Sequence, residues 1–301
     1  MRISTNTIYQ SGISKINNLQ TEQVKLQQQI STGKRLASPS DDPVASAREL
    51  EVSHAQGIND KFADTRKTAQ LKLNTLESNL TSVTNLLIST QSSLVAAGNG
   101  SLSNLERSFI GTELNGSLEQ LIGLANTQDA SGNYLYAGFK TSTKPFDAAG
   151  TYAGDSNQQL LQVDSQRQMA VNVTGNAVFQ AGGNDAFAAL KDIVTLLNTP
   201  ITDATSQAAF STGIATALGK MRGAVDNVLN VRADIGTKLN EIDKLDTAGS
   251  DRSLQYSKSL SELQDTDYAS ALSDLAKQQT IMEAAQKSFV QVTSLSLFKF
   301  I

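Results

Sequence analysis

The sequence of 301 residues has no cysteine, no tryptophan, one histidine and four prolines, and only 5% of it is aromatic. Without cysteine there are no disulfides and no thiolate metal sites, although the compartment stays open. The single histidine, His54, sits among Ser53, Ala55 and Gln56 with no second imidazole to share a metal, and reads as a solvent or bundle-edge side chain. No apolar run approaches the roughly 18 residues of a spanning helix. Arg2 is followed by STNTIYQSG rather than an apolar stretch, so no cleavable signal is expected. Net charge is -4 and no face is rich in Lys or Arg, which argues against a nucleic-acid partner. Walker A, GxGxxG, HExxH and GxSxG patterns are all missing. The expectation is therefore a protein that is not an enzyme, with no cofactor, no metal, no membrane partner and no small-molecule substrate. The carboxylate pairs Asp41/Asp42 and Asp265/Asp267 read as helix caps, and GNYLYAGF as strand packing.

What remains is long helices with narrow apolar stripes. From Tyr268 to Ile301, after Asp267 as N-cap, nothing breaks a helix. Tyr268, Leu275, Met282 and Phe289 recur every seven residues, and Ala271, Ala285 and Val292 fall three residues after members of that set. Such a stripe is marginal without a partner. The N-terminal stretch offers one: Tyr9, Ile16, Leu19, Leu26 and Ile30 keep the same spacing, with Gly12 and Gln23 at its two weak places.

Between these ends lies an excursion. Gly33 is placed to stop the first helix, and Asp42-Pro43 is an N-cap and N1 signature for a second, of about 54 residues, which runs to the Gly98-Asn99-Gly100 break. Its seam is Ala69, Leu73, Leu76, Leu80, Val83, Leu87 and Leu94, interrupted at Thr90. A third helix carries Leu114, Leu118, Leu121 and Ala125. Turn formers and period-two stretches then suggest a small antiparallel β module with LLQVD and MAVNVTGNAVF as strands. A short helix through Phe187, Leu190, Val194 and Leu197 stops near Pro200. A second very long helix starts near Asp203, with Leu218, Met221, Val225, Val228, Ile235, Leu239 and Ile242 on its seam and Arg232 as the polar member. The fold expected is mainly α: a rod of long antiparallel helices, paired terminal helices forming a coiled-coil base, and an antiparallel β domain at the tip. In domains this reads as 1–33 N-terminal base helix, 34–130 first half of the rod, 131–183 inserted β domain, 184–266 second half of the rod, and 267–301 C-terminal base helix.

Four segments carry a family likeness: MRISTNTIYQSGISKINNLQ, LQQQISTGKRLASPSDDPVASARELE, LANTQDASGNYLYAGFKTSTKPF and YASALSDLAKQQTIMEAAQKSFVQVTSLSLFKFI. In this order they resemble the flagellin superfamily, and the SPSDDPVASA loop and SLFKFI end look like its hook-filament junction branch rather than flagellin itself. The resemblance implies terminal helices forming the inner tube of a hollow helical assembly and export by the flagellar type III apparatus to the extracellular flagellum. The partners it implies are the hook-side junction protein, flagellin, copies of the chain itself in a helical ring, and a cytoplasmic chaperone at the C-terminal helix. On that reading Ile16, Leu19, Leu26, Ile30, Leu275, Met282, Phe289 and Val292 pack between subunits, and Pro39, Asp42 and Pro43 form a hinge. A minor flagellin that forms filament itself is the alternative, and a cytosolic coiled-coil adaptor a more distant one.

Overall fold

The structure, a computed structural model, describes residues 5–298; of the expected terminal helices, residues 1–4 and 299–301 lie outside the described residues. Seven α-helices are described: α1 Thr5–Thr32, α2 Pro43–Ala97, α3 Asn104–Ala125, α4 Gly175–Phe179, α5 Ala186–Asn198, α6 Ala204–Gln264 and α7 Tyr268–Phe298. One two-stranded antiparallel sheet joins β1 Leu160–Asp164 to β2 Arg167–Ala170, with Leu161 opposite Met169.

Short polar side chains set the helix starts. Asp42 accepts from the Ala45 N–H at 3.0 Å ahead of Pro43, whose missing N–H costs nothing in a first turn. Ser103 and Glu106 make a reciprocal capping box before α3, and Asp185, Asp203 and Asp267 cap α5, α6 and α7. At the other end of α1, Gly33 takes φ +70, where a side chain would be strained, and its N–H reaches the Gln29 carbonyl at 2.9 Å.

The chain divides into two compact units, residues 60–249 and, separately, the residues up to Asn59 with those from Ser250 onward; α2 and α6 contribute to both. In the 60–249 unit α2, α3, α5 and α6 share one apolar core. Leu73, Leu80, Val83, Leu87 and Leu94 from α2 meet Leu114 and Leu121 from α3, Leu190 and Ile193 from α5, and Met221, Val228, Ile235 and Ile242 from α6, all essentially inaccessible. The seam expected of α2 is thus its buried face, Thr90 included. Arg232, the polar member on α6, forks onto Glu77 Oε1 at 2.7 and 2.9 Å and reaches Thr84 Oγ1 at 3.3 Å.

The β insertion follows the end of α3 and precedes the start of α5, and it lies beside α2 and α6, which it meets through Arg66 and Arg167. Arg66, 1% exposed, donates to the Val163 carbonyl at 3.1 Å and to Asp246. Arg167 forks onto Glu241 at 2.6 and 2.8 Å. Tyr136 donates to Asn79 Oδ1 at 2.7 Å, and burial pushes its phenol far up. Tyr136, Phe146, Phe179 and Phe187 pack tilted and edge-on around one another.

Less of this insertion is sheet than its alternating pattern suggests. LLQVD is β1, but only the first residues of MAVNVTGNAVF lie in β2, and Gly175–Phe179 turns into α4. The aromatic stretch before it makes only the isolated bridges Gln128–Tyr134 and Phe146–Tyr152. The reason is that side chains take the backbone donors a ladder would need. Asp129 accepts from the Ser131 and Asn133 N–H groups, Asp147 from Ala149 and Thr151, and Asp155 from Phe139 and Asn157. These donors hold all three carboxyls below their usual range.

Candidate assembly interface

In the other unit α1 and α7 run antiparallel. Gly12 lies against Phe289, Glu22 accepts from Gln278 Nε2 at 2.9 Å, and Gly33 lies under the Tyr268 hydroxyl. The seam is the expected one for most positions: Ile16, Leu19, Leu26 and Ile30 of α1 and Leu275, Met282 and Phe289 of α7 are turned inward and half-buried, with Ala271 fully buried. Val292 stands beside the seam, 50% exposed, and Thr293 takes the more covered place, its hydroxyl donating to the Phe289 carbonyl at 2.8 Å.

Gly12, a weak place by sequence, is the slot for an aromatic ring. A Cβ there would stand 2.6 Å from the Phe289 ring, so any side chain would force the ring to shift. Tyr9 closes over the same ring with centroids 5.2 Å apart. A glycine facing a large aromatic at its own level on the partner helix was the available signal, but it needs the register before it can be read.

The loop with Pro39, Asp42 and Pro43 is densely tied. Asp41 accepts from the Ala37 and Ser38 N–H groups at 3.1 and 3.0 Å and from Lys25 at 2.8 Å. Asp42 caps α2 and lies 3.5 Å from Arg35. The Lys25 contact lowers the Asp41 carboxyl, and the Ala45 N–H lowers that of Asp42. The two connections also bridge each other: Arg35 N–H donates to the Gln264 carbonyl at 2.6 Å and Thr266 N–H to the Gly33 carbonyl at 2.9 Å. Pro39 and Pro43 themselves are exposed.

Among the described residues no group of three or more His, Asp or Glu side chains could hold a metal ion, and no helix is long and apolar enough to cross a membrane. Among the side chains the pair leaves in solvent are several large apolar ones: Tyr9, Ile13 and Val24 on α1, and Tyr268, Leu272, Ile281, Val290 and Val292 on α7.

Comparison with known proteins gives these surfaces a context. Residues 3–141 match the bacterial flagellin N-terminal helical region and residues 218–301 the bacterial flagellin C-terminal helical region. Flagellar hook-associated protein 3 of Escherichia coli (strain K12) and that of Salmonella typhimurium are each 38% identical over 99% of this chain and 99% of their own. Among solved structures, a putative flagellar hook-associated protein from Vibrio parahaemolyticus is 25% identical with a TM-score of 0.68, covering 75% of this chain and 100% of that one. The flagellar junction protein FlgL from Legionella pneumophila, at 20% identity, shares the fold with a TM-score of 0.63 over 72% of this chain and 100% of that one. With both terminal helical regions matched and relatives aligned from end to end, the chain belongs to the flagellin superfamily, in the family of flagellar hook-associated protein 3.

Proposed function

We propose that this chain is a structural protein of the bacterial flagellum that stands at the hook-filament junction and joins the hook-side junction protein to the flagellin filament. The observation that carries this reading is the α1–α7 pair, whose seam is only half covered while both its flanks expose apolar side chains. A two-helix pair of this kind gains stability by burying those flanks against neighbours. A contact that joins two different patches builds a ring where its rotation closes and an open helical filament where it does not. The full-length likeness to proteins named for the hook supports the position.

Export follows the type III route, before assembly, with a cytoplasmic chaperone covering the C-terminal helix. Ile16, Leu19, Leu26, Ile30, Leu275, Met282, Phe289 and Val292 serve the assembled state by forming the pair whose flanks meet other subunits. Pro39, Asp42 and Pro43 set the direction in which α2 leaves that pair. Replacing both prolines with alanine then alters motility more than export, and an equal loss of secretion would contradict a hinge role.

In a strain lacking the protein, hooks are expected to form while filaments fail to attach and flagellin escapes to the medium; the full chain restores attachment. Normal filaments in its absence would refute the reading. The two matched flagellin regions also suit a minor flagellin. That protein would be abundant and self-polymerise into long filaments, whereas the purified junction protein stays monomeric in sedimentation.

A further inference from the structure

The α1–α7 pair differs on its two flanks. On one, a groove of about 450 Å³ opens between the helices, floored by Gly12, Ile16, Ala285 and Phe289, with Lys15 and Val292 at its rims. It exists because Gly12 contributes no side chain beside the ring. At 3.6 residues per turn, Tyr9 and Ile13 fall on the other side of the α1 seam from Ser11 and Lys15. The same rule places Glu283 and Val290 across the α7 seam from Ser288 and Val292. Tyr9, Ile13 and Val290 are all exposed there and form an apolar ridge.

Height decides what fits the groove. Gly12 pairs in level with Phe289 and Glu22 with Gln278, so Ile13 and Val290 lie at the level of the groove floor. Groove and ridge thus occupy opposite flanks of one pair at one height, which suits a side-by-side neighbour of the same kind with no shift along the axis. The charges agree with this pairing, as Lys15 rims the groove and Glu283 lies on the ridge flank within about a turn of the same level.

We infer that the groove receives the Ile13–Val290 ridge of a second copy of this chain, with Lys15 of one copy facing Glu283 of the next. This rests on the assembly reading above and specifies its lateral contact, which is heterologous and open-ended.

The test uses the full chain in a strain lacking it. Lys15→Glu and Glu283→Lys each set like charges opposite one another, and each is expected to lower incorporation into isolated flagella about fivefold, the upper range for an exposed pair; the double swap restores it. As a second measurement, flagella carrying both Lys15→Cys and Glu283→Cys, treated with a bismaleimide linker of the span of a Lys–Glu pair, give a ladder of linked chains, while either single substitution gives none. The absence of native cysteine keeps that result clean. A double swap as poor as the singles, singles that incorporate normally, or a paired cysteine variant that stays unlinked would each overturn the inference and point to a different occupant of the groove. Absence of the unaltered chain from isolated flagella would instead remove the assembly reading beneath it.

Discussion

Phe289→Asp isolates the terminal pair from the rest of the molecule. The ring is half-buried against Gly12 and Tyr9. Half of the roughly 200 Å² that a phenylalanine buries, at about 25 cal/mol per Å², contributes about 2.5 kcal/mol. The ring contact with Tyr9 adds about 1 kcal/mol. Loss of about 3.5 kcal/mol shifts the pairing equilibrium several-hundredfold, a large effect on a two-helix pair with half-covered seam residues. The core of the 60–249 unit contains no part of this contact and keeps its own melting transition. The assay combines a thermal melt by circular dichroism with amide exchange on the purified chain and the yield of the chain in isolated flagella. The expected result is an unchanged main transition, fast exchange over residues 7–32 and 268–294, and no incorporation; Met282→Glu behaves alike and Phe289→Leu keeps partial function. A Phe289→Asp protein that restores filament attachment would show that the pair is not what assembles.

Arg66→Met removes the donor to the Val163 carbonyl and the partner of Asp246 from a buried place, and should lower stability by about 2 kcal/mol in urea titrations, as expected for hydrogen bonds to a charged group. Two glycines at φ near +80 separate strain from crowding. Gly132→Ala, open on its side-chain face, should cost about 1 kcal/mol of strain, while Gly150→Ala, whose Cβ would meet Phe187 at 2.6 Å, should cost clearly more by the same titration. Asp41 and Asp42 titrate below their usual value in the folded chain, so their contribution is present above the unfolded value and lost as pH falls through the lowered one. The Ala37, Ser38 and Ala45 amides should therefore stay protected down to about pH 4 and open only below it; opening well above that value would contradict the ties described.

Much of the helical frame was legible because it is written locally. Asp42-Pro43, Gly33 and the heptads of α2, α6 and α7 fix starts, stops and inward faces from residues close in sequence. The seam residues from Ile16 to Phe289 were readable for the same reason. Two things were not. The slot at Gly12 depends on which residue of α7 stands opposite, and a gap in one helix becomes a site only through the other. In the insertion, alternation at Met169–Val173 mimicked a longer strand, while Asn172 used its side chain to hold Gln159 and Asn157 and the chain turned into α4. Val292 shows how a three-residue step drifts off a seam near a helix end, where Thr293 becomes the more covered residue.

The position of the chain in the flagellum is tested most directly by labelling. Gold-tagged antibody against the 60–249 unit, applied to isolated flagella, should mark one short band between hook and filament. Label spread along the filament would contradict a junction role and make this protein a flagellin.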